Sequence, residues 1–295
     1  MTPQAIGLDI GGTHLRAAVV DANGTCHKQV KQRTDARNTD TLIAQIRAVL
    51  APFDPNMPVG VAIAGLVDGN GTVHASPNLA GITFPFNLTE QLHRNAFLTV
   101  ENDASAAAYA EHLHGAARNS QSSLTVTIGT GVGAGIVLND TLWRGANGFA
   151  GEVGHMLAAS PHQSTPHTVE QMLSGTAIAA AGSRHAGRSV SAKDVVEAAQ
   201  NGDTWAREVL AHTATVLGET LANLANMLDV SMCVIGGGAG VGLFPLVAPV
   251  ATQTLTRHLL GTTNGRQPPR VVVATLGDDA GVVGAALLAR ERTQT

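Results

Sequence analysis

The stretch from Ala5 to Gly24, AIGLDIGGTHLRAAVVDANG, constrains the fold more than any other part of the chain. A short apolar run ends at Asp9, a glycine turn with a hydroxyl follows, and a second apolar run leads into another turn. This order of strand, tight turn and strand differs from the strand-to-helix order of a Walker phosphate loop. The backbone N–H groups of Gly11 and Gly12 can approach a phosphate closely, and Thr13 adds a hydroxyl donor. Asp9 stands where a carboxylate can hold a magnesium ion through water.

A second stretch of the same kind begins at Leu124 and runs LTVTIGTGVGAG to Gly135. Its turn residues are Gly129, Thr130, Gly131 and Gly133. One such stretch alone is explained more simply as an ordinary hairpin with a glycine turn. Because hydroxyl-bearing glycine turns occur in both halves of the chain, they predict two lobes that hold one polyphosphate from opposite sides.

A third glycine turn follows an apolar strand predicted for Met232 to Ile235. It consists of Gly236, Gly237 and Gly238, and we expect a helix from about Leu243. Glycines at this place let the flat face of a nucleotide lie against bare backbone. The turn therefore predicts a nucleotide site in the second half of the chain.

Strands and helices alternate along the chain, which predicts an α/β architecture with largely parallel sheets. Apolar residues at helical spacing predict an amphipathic helix from Thr39 to Leu50. A buried strand from Val59 to Ala64 ends at Gly65, where the backbone must pass close to another group. Further on, Asn78 in the extended loop SPNL is either a turn former or a ligand donor.

A strand predicted for Phe97 to Val100 delivers Glu101, Asn102 and Asp103 to its carboxyl end, ahead of a helix from Ala104 to His114. Open α/β sheets bind their ligands at this edge. A single aspartate at a helix start is explained more simply as an N-cap, but Asn102 can fill that role equally well. Asp103 can therefore be a helix cap or a group that binds a ligand.

Glycines and small residues dominate the segment from Arg144 to Gly154, which carries Glu152 and is followed by His155. A carboxylate and an imidazole at this spacing can make paired hydrogen bonds to vicinal hydroxyls, although a lone histidine in such a loop is more often a surface residue. A zinc site formed by His155, His162 and His167 is disfavoured, because two prolines interrupt them and no cysteine joins them.

Composition excludes several classes of function. The 295 residues carry a net charge of −4 without a basic run, which argues against nucleic acids and anionic membranes as partners. Aromatic residues make up 3%, too few for a surface that stacks single-stranded bases. Cys26 and Cys233 fit no metal-binding spacing, so we expect reduced thiols. With no secretion signal and no apolar run of about 18 residues, we expect a cytoplasmic protein without membrane association.

Taken in order, the motifs resemble those of the ROK (repressor, open reading frame, kinase) family of bacterial sugar kinases. The resemblance spans essentially the whole chain, and the order and spacing of the motifs are more specific than any one of them. The motifs are LDIGGT at Leu8 to Thr13, SPNL at Ser76 to Leu79, ENDASAAAYAE at Glu101 to Glu111, IGTGVGAGIV at Ile128 to Val137, GANGFAGEVGH at Gly145 to His155, SGTAI at Ser174 to Ile178, and VIGGG at Val234 to Gly238.

The resemblance implies an α/β fold of the two-lobed, actin-like ATPase type, which is ribonuclease H-like, with a cleft between the lobes. We expect an N-terminal lobe at residues 1–116, completed by a C-terminal helix at 279–295, and a C-terminal lobe at residues 117–278. A hydrophobic content of 44% suits two compact cores. Members of the family are commonly dimers, so a homodimer is implied as well.

The resemblance also implies roles for individual residues. The turns matching Asp9 to Thr13 and Gly129 to Gly133 bind the phosphates of ATP with its Mg²⁺, and the glycines matching Gly236 to Gly238 lie near the adenosine. The aspartate matching Asp103 is the catalytic base on the 6-hydroxyl of the sugar. The residues that surround the sugar match Gly65, Asn78, Asn102, Asp103, Glu152, His155 and Glu170.

The chain departs from the family pattern at the zinc loop. Many members carry a C-x-C-G-x(2)-G-C sequence there and bind the same zinc through the histidine matching His155. In this chain the three cysteine positions hold Pro161, Gln163 and Thr168. We therefore expect no structural zinc, so that protein groups alone must orient His155.

The activity implied is ATP-dependent phosphorylation of the 6-hydroxyl of a hexose or N-acetylhexosamine. The second half, including SGTAIAAAG and DDAGVVGAALLA, resembles N-acetylmannosamine kinases, whereas Glu152 in EVGH is shared with glucose and N-acetylglucosamine kinases. We favour N-acetylmannosamine and keep glucose or N-acetylglucosamine as the alternative. Repressors of the family need a helix-turn-helix ahead of the acidic glycine turn, and eight residues precede Asp9. A non-catalytic sugar sensor is the other alternative, against which both phosphate turns and Asp103 argue.

Overall fold

The computed structural model describes residues 4–92, 97–158 and 167–293. Pro161, His162 and Gln163, on which the zinc interpretation depends, lie outside the described residues. The first part of the chain forms β1 (Ala5–Ile10), β2 (His14–Val20), β3 (Cys26–Arg33), α1 (Thr39–Leu50), β4 (Val59–Ile63), β5 (Leu66–Val67), β6 (Thr72–Ala75), β7 (Phe86–Asn87), α2 (Leu88–Leu92), β8 (Leu98–Asn102) and α3 (Asp103–His114).

Five of these strands form one sheet in the order β3-β2-β1-β4-β8. β1 is central, since it pairs antiparallel with β2 and parallel with β4, which in turn pairs parallel with β8. Its residues are almost all buried, whereas β3 at the edge carries mostly exposed polar side chains, as expected for a strand with one free side. The parallel strands end at one edge of the sheet, which brings Asp9, Gly65 and Asn102 to the same edge.

The rest of the chain forms a second sheet in the order β11-β10-β9-β14-β15. β9 pairs antiparallel with β10 and parallel with β14, so the second glycine turn occupies the same place in this sheet as the first turn does in its own. The elements are β9 (Ser123–Ile128), β10 (Val132–Leu138), β11 (Thr141–Leu142), a 3₁₀ helix (Val153–His155), β12 (Leu157–Ala158), β13 (His167–Thr168), α4 (Val169–Leu173), α5 (Gly175–Ala186), α6 (Ala192–Gln200), α7 (Thr204–Leu228), β14 (Met232–Gly236), α8 (Gly238–His258), a 3₁₀ helix (Thr262–Asn264), β15 (Arg270–Val273), a 3₁₀ helix (Gly277–Asp279) and α9 (Ala280–Arg292).

Helices α9 and α3 lie between the two sheets. α9 packs on β1 and β4, while α3 packs on α9 and on β10. The backbones approach so closely that a Cβ on Gly7 or Gly60 would overlap a carbonyl oxygen of α9, and one on Gly284 would overlap the carbonyl oxygen of Ala106 in α3. Much of this layer is alanine, which permits such close packing. The lobe boundaries expected at residues 116 and 279 stay predictions.

Local sequence patterns predicted the ends of α1 correctly but misplaced the start of α8. α1 has the predicted bounds, and the Asn38 side chain caps it by accepting from the Thr41 N–H at 2.9 Å. The helix start expected near Leu243 is wrong, because α8 begins at Gly238 with Gly237 as its N-cap. Glycines disfavour helix by about 1 kcal/mol each. Packing of α8 against α7 overrides that preference.

Among the described residues one helix, α8, has the length and apolar composition to cross a membrane. Its buried residues Leu243, Val247, Ala251 and Leu255 belong to the core that it shares with α7 and the second sheet. By length and composition alone such a helix is weak evidence for a membrane span.

Candidate active site

The first glycine turn joins β1 to β2. Its ends are tied by the Gly11 N–H, which donates to the His14 carbonyl at 3.0 Å. Thr34, just after β3, donates its hydroxyl to the Gly11 carbonyl at 2.6 Å and its N–H to the Thr13 carbonyl at 2.9 Å. The turn is thus braced through its carbonyl groups, while Gly12 and Thr13 stay exposed. A fixed turn with exposed backbone and hydroxyl donors is suited to an anion.

Asp9 lies beneath this turn, next to like charge. Its side chain is 14% exposed, and Arg16 of β2 stands 3.6 Å from its Oδ2. Burial, and then the charge of Asp103, raise the pKa of Asp9 to about 7, although Arg16 lowers it and Asp278 raises it further. The carboxylate is therefore costly to ionise in the unliganded protein.

The second glycine turn is held by the start of α5. The Gly175 N–H donates to the Gly129 carbonyl at 2.8 Å, and the Thr176 hydroxyl donates to the Thr130 carbonyl at 2.9 Å. Gly129 N–H closes the turn on the Gly131 carbonyl at 2.9 Å. As in the first turn, neighbouring donors occupy carbonyl groups of the turn, and Thr130 is exposed.

The third glycine turn lies beside the second one. Gly237 has φ of 77°, a conformation that favours glycine, and a Cβ there would crowd the backbone of Ile128 at the end of β9. A Cβ on Gly175 would lie 2.8 Å from the Gly129 carbonyl oxygen and 3.3 Å from the Cβ of Ala239 in α8. The starts of α5 and α8 therefore converge on the second turn, and helix starts favour anions.

Asn102, and not Asp103, caps α3. The Asn102 Oδ1 accepts from the Ser105 N–H at 3.0 Å, and Asp103 is the first helical residue. The Asp103 Oδ1 accepts from the Ala104 N–H at 2.9 Å. Burial raises the pKa of Asp103, and hydrogen bonds from backbone N–H groups oppose that rise. A half-buried carboxylate that does not cap the helix is available to act as a base.

Two further predicted sugar contacts lie next to these groups. The Asn102 Nδ2 donates to the Gly65 carbonyl at 3.0 Å, which joins the ends of β4 and β8. Asn78 is exposed and lies against the first glycine turn, since a Cβ on Gly12 would stand 2.8 Å from the Asn78 Cβ. Gly65, Asn78 and Asn102 are thus placed around the same sheet edge as Asp9.

The segment that carries Glu152 and His155 starts in the second half and contacts the first. Arg144, at its base, donates from Nε to Glu101 Oε2 at 2.6 Å. Further along, the ring of Phe149 meets the ring of His74 edge to face, with centroids 5.9 Å apart. These contacts hold Glu152 on the side where Asp103 lies.

Glu152, His155 and Glu170 share one electrostatic environment with Asp103. Burial raises the pKa of Glu152, the neighbouring His155 lowers it, and the charges of Asp103 and Glu170 raise it. His155 is exposed. The Glu170 Oε2 accepts from the Val132 N–H at 2.9 Å, so one of its oxygens braces the second glycine turn. The predicted sugar contacts are therefore brought together, with Glu170 reaching the phosphate side as well.

Two carboxylates that matter here were not singled out from the sequence. Glu101 is 5% exposed and joins Arg144. Glu111 is 1% exposed and accepts from the N–H groups of Ala116, Thr275 and Leu276 at 2.7 to 2.9 Å. Both lie in the motif ENDASAAAYAE, but Arg144, Thr275 and Leu276 are far along the chain, so no local pattern reveals these contacts.

The residues present fit a magnesium ion that is held mainly by a nucleotide. Within the described ranges no group of three or more His, Cys, Asp or Glu side chains forms a metal cage. Mg²⁺ commonly uses one or two carboxylates together with phosphates and water. Asp9, buried beneath a phosphate-type turn with a pKa raised to about 7, is a carboxylate that a cation would stabilise in its ionised form.

Comparison with known proteins gives consistent results. The family model of the ROK family matches residues 5–292. A solved structure, a ROK family glucokinase from Streptomyces griseus in complex with glucose and AMPPNP, superposes with a TM-score of 0.82 at 31% identity, covering 98% of this chain and 99% of that one. The expected α/β fold, two-lobed and actin-like, is confirmed.

Curated relatives lead in the same direction. The N-acetylmannosamine kinase of Yersinia pseudotuberculosis is 33% identical over 297 residues, which cover 97% of this chain and 98% of that protein. The bifunctional enzyme NanE/NanK of Brucella melitensis is 33% identical over 287 residues, or 96% of this chain. The chain spans about half the length of that bifunctional relative, 53%.

Proposed function

The chain belongs to the ROK family, and on that basis we propose that it is an ATP-dependent kinase acting on the 6-hydroxyl of a hexose or N-acetylhexosamine. The observation that carries the proposal is the position of Asp103. Its charge acts on Asp9 beneath the first glycine turn and on Glu152 in the loop from the second half. Asp103 is thus close enough to interact with a carboxylate at the turn suited to phosphate and with a carboxylate suited to sugar hydroxyls.

In this mechanism Asp103 accepts the proton of the 6-hydroxyl as that oxygen attacks the γ-phosphorus in line. The bond between the γ-phosphorus and the oxygen that bridges it to the β-phosphorus breaks, and ADP leaves. The sugar is bound and oriented by Gly65, Asn78, Asn102, Glu152, His155 and Glu170. The phosphates are held by the hydroxyls of Thr13 and Thr130 and by the glycine turns that contain Gly11, Gly12, Gly129, Gly131 and Gly133. Gly236 to Gly238 line the adenosine. Mg²⁺, when bound near Asp9, neutralises developing charge on the phosphates. Closure of the site would exclude water, which would otherwise accept the phosphoryl group.

N-acetylmannosamine is the proposed substrate, supported by the similarity to N-acetylmannosamine kinases along nearly the full length of both chains. Glucose is the second candidate, supported by the ROK glucokinase structure at 31% identity. We also propose that the protein forms a homodimer, lies in the cytoplasm and holds no structural zinc. None of these depends on the role of Asp103.

A coupled ATP-consumption assay tests the function. Chelator-treated protein, supplied again with Mg²⁺ only, is assayed against glucose, mannose, fructose, allose, N-acetylglucosamine and N-acetylmannosamine. We expect turnover that requires sugar and is highest with N-acetylmannosamine. Highest turnover with glucose would select the second candidate. ATP binding without turnover on any sugar would contradict the kinase assignment and favour a non-catalytic sugar sensor.

The pH dependence of turnover is expected to follow the raised pKa of Asp103. A base must be deprotonated, so kcat/KM should fall as the pH drops through a value above 3.8, the ordinary pKa of aspartate. A Glu152→Gln variant is the control, because it removes another carboxyl group of raised pKa and should keep this acid limb. Loss of the limb in that variant would assign it to Glu152.

Raised carboxyl pKa values also make folding stability depend on pH, in the opposite direction to activity. Activity should rise with pH, whereas the contribution of these groups to stability should fall. A carboxyl group whose pKa is raised by folding stabilises the folded chain below its ordinary pKa, and this contribution is lost as the pH rises through the folded value. For Asp9 that window runs from 3.8 to about 7. An Asp9→Asn variant without nucleotide should therefore lose less thermal stability than wild type between these pH values, as thermal unfolding would show.

A further inference from the structure

We propose that Arg144 and Glu101 form a positioning pair, which couples the loop carrying Glu152 and His155 to the strand end carrying Asn102 and Asp103. The proposal rests on the proposed function, because it concerns how the two sets of sugar contacts are set relative to each other. Neither residue touches the sugar in this scheme. The pair acts through its neighbours.

The Glu101 carboxylate contacts both Arg144 at the base of the loop and the backbone at the end of β8. Its side chain is 7% exposed and lies in β8, one residue before the cap of α3. Oε2 accepts from Arg144 Nε at 2.6 Å, and Oε1 accepts from the Asn102 N–H at 3.1 Å. One carboxylate therefore links a residue of the second half to the backbone amide that precedes Asp103.

Arg144 also closes the base of the loop. Its carbonyl accepts from the Ala150 N–H at 3.1 Å, and its guanidinium, 25% exposed, reaches Glu101. The chain then continues from Ala150 to Glu152 and the 3₁₀ helix that contains His155. A shift of Arg144 would thus move the start of the loop relative to the end of β8.

The buried ion pair resists separation of Arg144 from Glu101. Removal of one partner from a buried ion pair leaves the other charge without compensation, and the structure must rearrange to solvate it. With Arg144 gone, the buried Glu101 carboxylate lacks its charged partner, and a displacement of the end of β8 would bring it closer to water. That end carries Asn102, which caps α3 and holds the Gly65 carbonyl, and Asp103 follows directly. Small displacements of such groups reduce rates strongly.

Kinetics of Arg144→Gln and Glu101→Gln test the pair. We expect each variant to lose roughly 10²-fold in kcat/KM for the sugar, as for other misplaced reacting groups, with the KM for ATP unchanged. In the double variant the two introduced amide side chains can hydrogen-bond to each other without a buried charge, so it should be about tenfold more active than independent effects would give. Arg144→Lys, which keeps the charge but not the planar fork, should be intermediate.

Arg266→Gln is the control for loss of an arginine ion pair outside the site. Arg266 pairs with Asp229 at the same distance of 2.6 Å and its side chain is 24% exposed, but Asp229 is 81% exposed and the pair lies at the end of α7 away from the loop. This variant should lose thermal stability and keep wild-type kinetics. If Arg144→Gln behaves in the same way, or if the two site substitutions are additive, the positioning role is overturned.

Hydrogen exchange provides a readout that does not need turnover. In Arg144→Gln, amides of residues 144–155 and of residues 98–104 should both exchange faster than in wild type. Faster exchange in the loop alone would show that the strand end is independent of the pair and would overturn the inference. A wild-type protein that is inactive on every sugar would contradict the kinase assignment, while this exchange result would still decide the coupling.

Discussion

Replacement of Asp103 by Asn is expected to lower kcat by about 10³-fold, within the range usual for loss of a general base. The amide keeps the shape of the carboxylate and can still accept from the Ala104 N–H, and the cap of α3 is Asn102, which is untouched. Because the sugar contacts are retained, its affinity should change little. Steady-state kinetics together with calorimetric titration of the sugar would separate the two effects.

Asp40→Asn is the matched control for this substitution. Asp40 also lies in the first turn of a helix capped by an asparagine, Asn38 in α1, but it is exposed and is not one of the predicted site residues. It should turn over at the wild-type rate. Wild-type-like turnover by Asp103→Asn would rule out Asp103 as the base, whereas loss of sugar binding in that variant would make it a binding group first.

Replacement of Gly60 by Ala is expected to destabilise the fold by about 3 kcal/mol or more, at the upper end of the cost of overpacking. The added methyl would overlap the Ala285 carbonyl oxygen of α9, which is backbone and cannot rotate away. α9 has little room to retreat, because a Cβ on its own Gly284 would already overlap the Ala106 carbonyl oxygen in α3. The helix is confined between β4 and α3.

Gly242→Ala is the control for this prediction. Gly242 is exposed in α8, and a Cβ there would meet nothing within 4 Å. This variant should be stabilised by about 1 kcal/mol through helix propensity alone. Thermal and denaturant unfolding of both variants would show the difference, and equal stability of Gly60→Ala and wild type would contradict the packing of α9 on β4.

The same helix affects the candidate site directly. A Cβ on Gly281, in the first turn of α9, would lie 3.2 Å from the Asp9 Cγ. Asp9 thus owes part of its burial, and hence part of its raised pKa, to a residue near the other end of the chain. Partial displacement of α9 would consequently change the phosphate turn as well as stability.

Local features of the chain were predictable from its sequence alone. The glycine turns and the bounds of α1 follow from residues within a few positions of each other, and each was found where expected. The start of α8 was not, because its glycines argue against a helix that tertiary packing nevertheless stabilises. Helix propensity predicts structure poorly where tertiary packing favours a different conformation.

The sequence by itself thus determined the local features, namely the turns, the helix cap and the hydrogen-bonding groups that each segment offers, since these are properties of neighbouring residues. Only the tertiary structure decided which groups meet. Glu101 accepts a hydrogen bond from Arg144, and Glu170 accepts one from the Val132 N–H. Glu111 accepts hydrogen bonds from the backbone N–H groups of Thr275 and Leu276. These partners lie 38 to 165 positions apart along the chain. Their contacts depend on how the sheets and helices pack, and that packing is the combined result of many buried residues that no short pattern records.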